Sequence, residues 1–225
     1  MKDLSDIKRK YVIPGELIVE GNFRPIANVF RQGTGLYSTR IGLAEIGHQE
    51  VRVIPLCGPY IPRVDDFIIG KVVDYSGSAW EVDINSCFFA FLPAQNVFGR
   101  NFSPQGFSLE NKFRIGDILA AKVAAYDRTR DPLLTISGPG LGLIEKGEIV
   151  KIAPTKVPRL IGKKRSMIMT IEGSSTCKLI IGQNGIVVVN GPPNGLLIAI
   201  KAIKLVEEEA HNADLITKVQ NLLSA

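Results

Sequence analysis

The chain has 225 residues and a formal net charge of +5, with 45% apolar and 22% charged residues. These values are ordinary for folded proteins and exclude wholesale disorder, and the length accommodates two or three compact domains. Aromatic residues make up 7% of the chain, and it holds 22 glycines and 13 prolines. We therefore expect many turns and short strands rather than long helices.

The small number of cysteines and histidines and the lack of a long apolar run exclude several classes of protein. Three widely separated cysteines (Cys57, Cys87 and Cys177) and two histidines support neither a disulfide framework nor a metal cluster. We expect no metal and no cofactor. The charged start lacks the apolar core of a signal peptide, and no apolar run reaches the roughly 18–20 residues that cross a bilayer. A reduced, cytoplasmic protein without membrane contact is expected.

The positive charge is concentrated in the last third of the chain. Residues 1–62 carry a net charge of +2, residues 63–145 carry −2 and residues 146–225 carry +5. Within the last segment, residues 146–206 hold ten basic and two acidic residues, whereas residues 207–225 are acidic. Such a local excess favours binding to a polyanion, and a solvated basic face is the alternative.

The first segment, residues 1–62, alternates short apolar stretches with glycines. Residues 11–20 predict two short strands around a Pro14-Gly15 turn, and residues 51–56 predict another strand. We expect a small all-β domain that ends at the two prolines within residues 59–62.

The second segment, residues 63–145, predicts five strands and one long loop. The strands are expected within residues 65–74, 80–84, 87–93, 113–127 and 133–137, and the loop over residues 94–112. This pattern is typical of an OB-type barrel. Trp80 has the strand parity of Val82 and Ile84, which places it in the barrel core, and a role in base stacking is the alternative.

The third segment, residues 146–225, mixes strands and helices. We expect strands within residues 148–153, 178–181 and 186–189, two helical stretches within residues 158–171 that separate at Gly162, a helix over residues 195–209 and a last helix over residues 212–223. Asn194 is the predicted N-cap of the longer helix. The order β-α-α-β-β-α is that of a KH module.

Two known RNA-binding domains are similar to these segments. The second segment resembles an S1 domain in residues 67–72, 80–84, 116–123 and 134–137. The third resembles a type I KH domain in residues 157–162 and at Ile168 and Ile171. A KH domain normally clamps the nucleotide backbone with a GXXG loop. That loop is Gly162-Lys163-Lys164-Arg165 here, with Arg165 in place of the second glycine.

The chain as a whole resembles the S1/KH-type cap subunit of the archaeal exosome. The resemblance rests on the order of the three domains, Pro14-Gly15, residues 60–63 and Gly182-Gln183-Asn184-Gly185. It implies a non-catalytic subunit that docks, in three copies, on a ring of phosphorolytic RNase subunits and feeds RNA into its pore. The implied fold is mainly β with a C-terminal α+β domain. Its parts are an N-terminal β domain (1–62), an S1 barrel (63–145) and a KH domain (146–225).

Candidate RNA-binding residues are basic side chains in the second and third segments. They are Lys71, Arg100, Lys122, Arg128, Arg130, Lys163, Lys164 and Arg165. Lys122 alternates with apolar neighbours and should leave the barrel. Arg128 and Arg130 lie in a turn where S1 domains touch RNA, and Arg100 lies in the long loop that could line a pore. A solvated charge is the alternative at each position.

Two further sites are predicted with less specific signals. Asn184-Gly185 is the favoured pair of a type I′ hairpin, so Gly182, Gln183, Asn184 and Gly185 are expected to form a structural turn. A contact with RNA or between domains is the alternative for that turn. In the first domain, Arg31, Tyr37 and Arg40 are candidate contacts with the RNase ring.

Other functional classes fit the sequence less well. No Walker A or GxGxxG motif occurs, and no paired base and nucleophile accompanies the carboxylates, so we do not expect an enzyme. An S1/KH transcription elongation factor that binds nascent RNA is the main alternative. That family has a helical domain before S1 and two KH modules after it, whereas the first segment here predicts strands. A protein-binding scaffold built on the OB barrel also stays open.

Overall fold

The computed structural model describes residues 8–99, 109–127, 129–210 and 214–224. The chain divides into two compact units between Gly58 and Pro59.

The first unit contains two small sheets. Its strands are β1 (Lys8–Val12), β2 (Leu17–Glu20), β3 (Arg24–Pro25), β4 (Val29–Gln32), β5 (Gly35–Ser38), β6 (Gly42–Ile46) and β7 (Glu50–Pro55). One sheet has the strand order β1-β6-β7-β3 and the other has the order β2-β5-β4. Burial alternates along β7, where Val51 and Val53 are buried and Arg52 is exposed. This period of two places one face of the sheet on a core that includes Leu36.

The second unit begins with a five-stranded closed barrel. Its strands are β8 (Phe67–Ser76), β9 (Ala79–Asp83), β10 (Phe89–Pro93), β11 (Ile118–Asp127) and β12 (Arg130–Thr135), and α1 (Gln95–Phe98) follows β10. The order is β12-β10-β9-β8-β11, and a β11–β12 pairing closes the barrel. Trp80 is fully buried in it, and its indole N–H donates to the Phe113 carbonyl at 3.2 Å. A short strand, β13 (Gly142–Leu143), pairs with β11.

The KH module, which runs from β14 to α5, completes the second unit. Its elements are β14 (Glu148–Lys151), α2 (Val157–Ile161), α3 (Ser166–Ser175), β15 (Lys178–Ile181), β16 (Ile186–Asn190), α4 (Pro193–Glu208) and α5 (Leu215–Ser224). The sheet order is β14-β16-β15. The predicted fold, mainly β with an OB-like barrel and a C-terminal α+β KH domain, is confirmed.

The start of α4 differs from its prediction. The helix begins at Pro193, and its N-cap is Pro192 rather than Asn194. Proline suits the first helical position because its fixed φ is already helical and its missing N–H has no intrahelical partner there. The predicted N-cap at Asn194 was therefore wrong, and this residue lies inside the first turn.

Candidate nucleic-acid interface

The helices of the KH module cover one face of its sheet, and the barrel covers the other. Val187 and Val189 of β16 point into the KH core beneath the helices. Ile186 and Val188 point the other way and form a buried cluster with Ile69 of β8. We call this cluster the seam, and the half-buried side chains around it are Phe67, Ile118, Ile144 and Ile180. The seam holds the barrel and the KH module together through packed apolar side chains.

The turn at residues 182–185 fastens the seam with hydrogen bonds. Asn184 is fully buried, and its side-chain amide donates to the carbonyls of Ile69 at 2.7 Å and Ile84 at 2.8 Å. The Ile69 N–H donates to the Asn184 Oδ1 at 3.3 Å. The Gln183 N–H donates to the Phe67 carbonyl at 2.8 Å. Each of these hydrogen bonds joins the KH turn to β8 of the barrel or to Ile84, which directly follows β9.

The turn is not the predicted type I′ hairpin. A type I′ turn needs positive φ at both central residues, but φ is positive at Gly185 (82°) and at neither Gln183 nor Asn184. The structure instead has a three-residue loop whose last residue is left-handed, closed by the Gly182 N–H donating to the Ile186 carbonyl at 2.8 Å. The reason is tertiary: this geometry turns the Asn184 side chain into the barrel.

The two glycines of this turn are required for different reasons. A Cβ at Gly182 would lie 2.3 Å from Asn184 Oδ1 and 2.9 Å from the Ile69 nitrogen, so close approach to the barrel excludes a side chain. At Gly185 the positive φ adds to a Cβ that would lie 2.2 Å from the Ile152 carbonyl oxygen. Gly185 has a positive φ and Gly182 does not, so close approach alone requires glycine at position 182.

Residues 162–165, which we call the basic loop, join α2 to α3. Gly162 has φ 72°, and a Cβ there would lie 2.7 Å from the Met167 nitrogen. Lys164 and Arg165 are also left-handed, at φ 54° and 65°. Position 165 therefore keeps a glycine-like backbone although it carries an arginine. Lys163, Lys164 and Arg165 are all exposed, and no described carboxylate forms an ion pair with them.

The described barrel cations differ in their surroundings. Lys71 lies opposite Asp83, and Arg130 lies opposite Asp127, whose pKa is lowered mainly by hydrogen bonds from Thr129 and further by the Arg130 charge. Lys122 is exposed, and its cross-strand partners, Phe67 and Thr135, carry no charge. Directly opposite residues share one face of a sheet. Lys122 is therefore the least compensated of these three cations, and it lies beside the seam.

The remaining predicted residues fall elsewhere. Arg100 and Arg128 lie outside the described residues. In the first unit, the exposed Arg31 donates to the Phe23 carbonyl, and half-buried Tyr37 lies over Gly35. Half-buried Arg40 lies close to Gly58. The structure thus brings Lys122, the basic loop and the 182–185 turn to the seam, and Lys71 lies opposite Ile118 at the edge of the same cluster. Arg130 lies away from it, at the end of β12 that pairs with Asp127.

Sequence reasoning missed two residues of this region. Asn85 has φ 56°, and its side-chain amide donates to the Asn184 carbonyl at 2.9 Å. An asparagine directly after a strand is a turn signal that could have drawn attention to it. Phe67 has the outward parity of Ile69 and Lys71 on β8. The outward direction of the Phe67 side chain could be predicted from the sequence, but the surface that it contacts could not.

Two properties concern alternative classes of protein. Within the described ranges, no group of three or more His, Cys, Asp or Glu side chains is placed to hold a metal ion. Over the same residues, no helix is both long and apolar enough to span a membrane.

Comparison with known proteins connects this geometry to a family. Residues 9–57 match the family described as the N-terminal domain of the exosome RNA-binding protein RRP4, and residues 147–205 match the KH domain family. A solved structure of an exosome complex RNA-binding protein shares 39% identity, with a TM-score of 0.70, over 74% of this chain and 96% of that chain.

Curated relatives extend the match over nearly the whole chain. The exosome complex component Rrp4 of Thermofilum pendens is 41% identical over 96% of this chain and 92% of its own length. The exosome complex component Rrp4 of Nitrosopumilus maritimus is 52% identical over 96% of both chains. Identity at this level over both lengths, together with the barrel and KH module described above, shows that the chain belongs to the Rrp4 family of exosome complex components.

Proposed function

We propose that this chain is a non-catalytic, RNA-binding cap subunit of the cytoplasmic exosome. It docks on a ring of phosphorolytic RNase subunits, in three copies, and guides RNA 3′ ends into the pore of the ring. The observation that carries the proposal is the full-length relationship to exosome complex components named Rrp4. The grouping of Lys122 and the basic loop beside the seam supports the part that concerns RNA.

The proposed division of labour follows three segments. Residues 1–62 dock on the ring, residues 63–145 surround the RNA path, and residues 146–225 add a basic surface beside it. RNA is held mainly through its phosphates by Lys71, Arg100, Lys122, Arg128, Arg130, Lys163, Lys164 and Arg165. Phosphate contacts carry little sequence information, so binding shows little sequence preference.

An exposed apolar row in the first unit supports ring docking. Leu17 of β2, Tyr37 of β5 and Phe30 of β4 lie directly opposite one another across one sheet. Leu17 is 37% exposed and Phe30 is 58% exposed. Exposed apolar patches mark protein interfaces when they are contiguous. This row supports Tyr37 as part of the proposed ring contact. Arg31, which lies opposite Leu36 and alternates away from the row, and Arg40 are proposed as further contacts without that support.

Co-purification and a reconstituted degradation assay test the proposal. Tagged chain from cell extract should capture RNase-ring subunits, and the purified chain should degrade no RNA by itself while it stimulates degradation by the ring. Capture of RNA polymerase instead would support the elongation-factor alternative. Phosphate-dependent degradation by a highly purified sample of the chain would contradict a non-catalytic role.

A further inference from the structure

A cavity of about 500 Å³ lies where the chain passes from the barrel to the KH module. We call it the linker pocket. The segment from Gly140 to Lys146 forms most of its wall, and Ala120 of β11, Ile180 of β15 and Asn190 at the end of β16 form the rest. The pocket therefore combines groups from the barrel, from the KH sheet and from the segment that joins them.

The linker pocket is separate from the basic loop and lies on the other side of the seam. Among the described residues, its wall includes none from α2, the basic loop or α3. Ala120 lies directly opposite Ile69 of the seam on one side and opposite Gly142 on the other. Lys122 follows two residues later on β11 and therefore points to the same face of the barrel.

Two glycines leave the backbone of the pocket wall accessible. Gly140 has φ 75° and Gly142 has φ 121°, which are conformations that a side chain would strain. A Cβ at either position would have no heavy atom within 4 Å, so open space lies beside both. A ligand in the pocket can therefore approach the linker backbone closely at these two positions.

Four exposed polar side chains surround the pocket. Glu145, Lys146 and Asn190 line it, and Lys178 lies directly opposite Asn190 in the KH sheet. Directly opposite residues share one face of a sheet, so Lys178 lies at the rim of the pocket. No ion pair among the described residues involves Glu145, Lys146 or Lys178. Two cations, one carboxylate and one amide are thus available to a ligand.

This combination of groups fits a ribonucleotide. Ammonium groups bind phosphates, whereas an ionised carboxylate only accepts hydrogen bonds, so Glu145 repels a phosphate and requires a donor from the ligand. The ribose 2′-hydroxyl is such a donor, and it is the group by which proteins distinguish RNA from DNA. Leu143 is 45% exposed and offers the base an apolar surface. Cavities of about 300–1,000 Å³ with apolar walls and a few placed polar groups are usual for ligands of this kind.

We propose that the linker pocket binds one ribonucleotide of a single-stranded RNA. Lys146 and Lys178 bind its phosphates, Glu145 accepts a hydrogen bond from its 2′-hydroxyl, and its base lies against Leu143. The inference rests on the proposed RNA binding and adds to it a contact that selects RNA over DNA. Contacts with phosphates do not sense the sugar, so this selection depends on Glu145.

The test compares RNA with DNA of the same base sequence. Full-length wild-type chain and the variant Glu145→Ala are titrated with a 12-nucleotide single-stranded RNA and with the matching DNA. Wild-type protein should bind the RNA about tenfold more tightly than the DNA, because a hydrogen bond to a charged group is lost with the 2′-hydroxyl. In Glu145→Ala the preference should fall to about twofold or less, since RNA loses that hydrogen bond while DNA loses only a repelling charge.

Glu148→Ala is the matched control. Glu148 is an exposed carboxylate of β14 that does not line the pocket, so its removal changes the net charge equally. This variant should keep the wild-type preference for RNA. The double variant Lys146→Ala, Lys178→Ala should weaken RNA and DNA binding by the same factor, because phosphates are common to both.

Two further measurements accompany the titrations. Glu145→Ala should unfold at the wild-type temperature, because Glu145 is exposed and its ion pairs with described residues are none. RNA that contains 4-thiouridine is cross-linked to wild-type protein by light, and some cross-linked peptides should contain residues 140–146.

An equal preference for RNA in Glu145→Ala and wild type would overturn the inference. So would equal binding of RNA and DNA by wild type, or cross-links exclusively outside residues 140–146. Wild-type protein that binds neither oligomer would instead contradict the proposed RNA binding itself.

Discussion

At the scale of single residues, Asn184 fastens the KH module to the barrel through its side chain. Its side chain satisfies two carbonyls and one N–H of the barrel, all within a buried region. A buried polar group that loses its partner costs about 1–3 kcal/mol. We expect Asn184→Ala to lower the free energy of unfolding by about 3 kcal/mol, measured by urea denaturation.

The neighbouring residue offers a control for this prediction. Gln183 is exposed, and its contact with the barrel uses the backbone N–H rather than the side chain. Gln183→Ala should therefore change the stability by less than about 0.5 kcal/mol. Equal effects of the two substitutions would mean that the Asn184 side chain is not what fastens the turn.

Tyr60 predicts a dependence of stability on alkaline pH. Tyr60 is 5% exposed, and its hydroxyl donates to Asp66 Oδ2 at 2.7 Å. Burial, and then the hydrogen bond to this carboxylate, hold the pKa of the Tyr60 hydroxyl well above its usual range. The folded state thus favours the protonated phenol. Its contribution is fully present below the unfolded pKa of about 10 and is lost as the pH rises above that value.

Tyr60→Phe tests this linkage. At pH 7 the variant should be less stable by about 2 kcal/mol, because a hydrogen bond to a charged group is lost. Above about pH 10 the difference in stability between the two proteins should shrink. Only the wild-type protein then has to keep protonated, in its folded state, a hydroxyl that ionises in the unfolded chain. Urea denaturation between pH 7 and pH 11 measures both, with Tyr11→Phe at an exposed position as the control. A constant difference across this range would contradict the assignment.

At the scale of elements, the basic loop is expected to bind phosphates without reading sequence. Changing Lys163, Lys164 and Arg165 together to Ala should weaken RNA binding by about 3- to 10-fold at 0.1 M salt. The slope of log affinity against log salt should fall by about 1–2, since each contact with a single strand contributes about 0.7. Alanine tolerates the left-handed positions no worse than the native residues do, so the KH fold should persist. Fluorescence anisotropy with several RNA sequences measures affinity, slope and preference.

Two lysines of α4 control for total charge. Lys201 and Lys204 are exposed on that helix and lie outside the basic loop. The double variant Lys201→Ala, Lys204→Ala should lower RNA affinity less, for each charge removed, than the triple variant of the basic loop does. The same loss per charge from both sets would show that the overall charge, rather than the loop, determines binding.

At the scale of the whole molecule, RNA affinity should fall steeply with salt. Ten basic and two acidic residues lie within residues 146–206, and Lys122 adds a barrel cation beside the basic loop. If about four phosphates are neutralised, affinity should drop about 50-fold between 50 and 200 mM salt, because bound counterions are released. Titrations of a labelled single-stranded RNA in KCl measure this. An affinity that stays flat over this range would mean that stacking, not phosphate contact, dominates.

Local patterns were enough to predict most elements and the fold class. The strands of the barrel, the β-α-α-β-β-α order of the KH module and the interruption at Gly162 follow from alternation, helical periodicity and turn residues. These signals act between near neighbours in the chain, so they can be recognised without knowledge of the tertiary structure. The start of α4 was predicted less well, because Asn194 and Pro193 compete for neighbouring positions at a helix end.

The amino-acid sequence by itself determined most of the strands and helices, where the positive charge lies, and that Lys122 leaves the barrel. It did not predict β3 to β6 individually, or α1 within the expected loop. The tertiary structure alone decided that both faces of β16 are buried, that Asn184 bonds to Ile69 and Ile84, and that Phe67 meets the KH module. Strand parity divides side chains between two faces, but it cannot say what covers either face. That outcome depends on contacts between residues about 100 positions apart, such as Ile84 with Asn184, which no local pattern encodes.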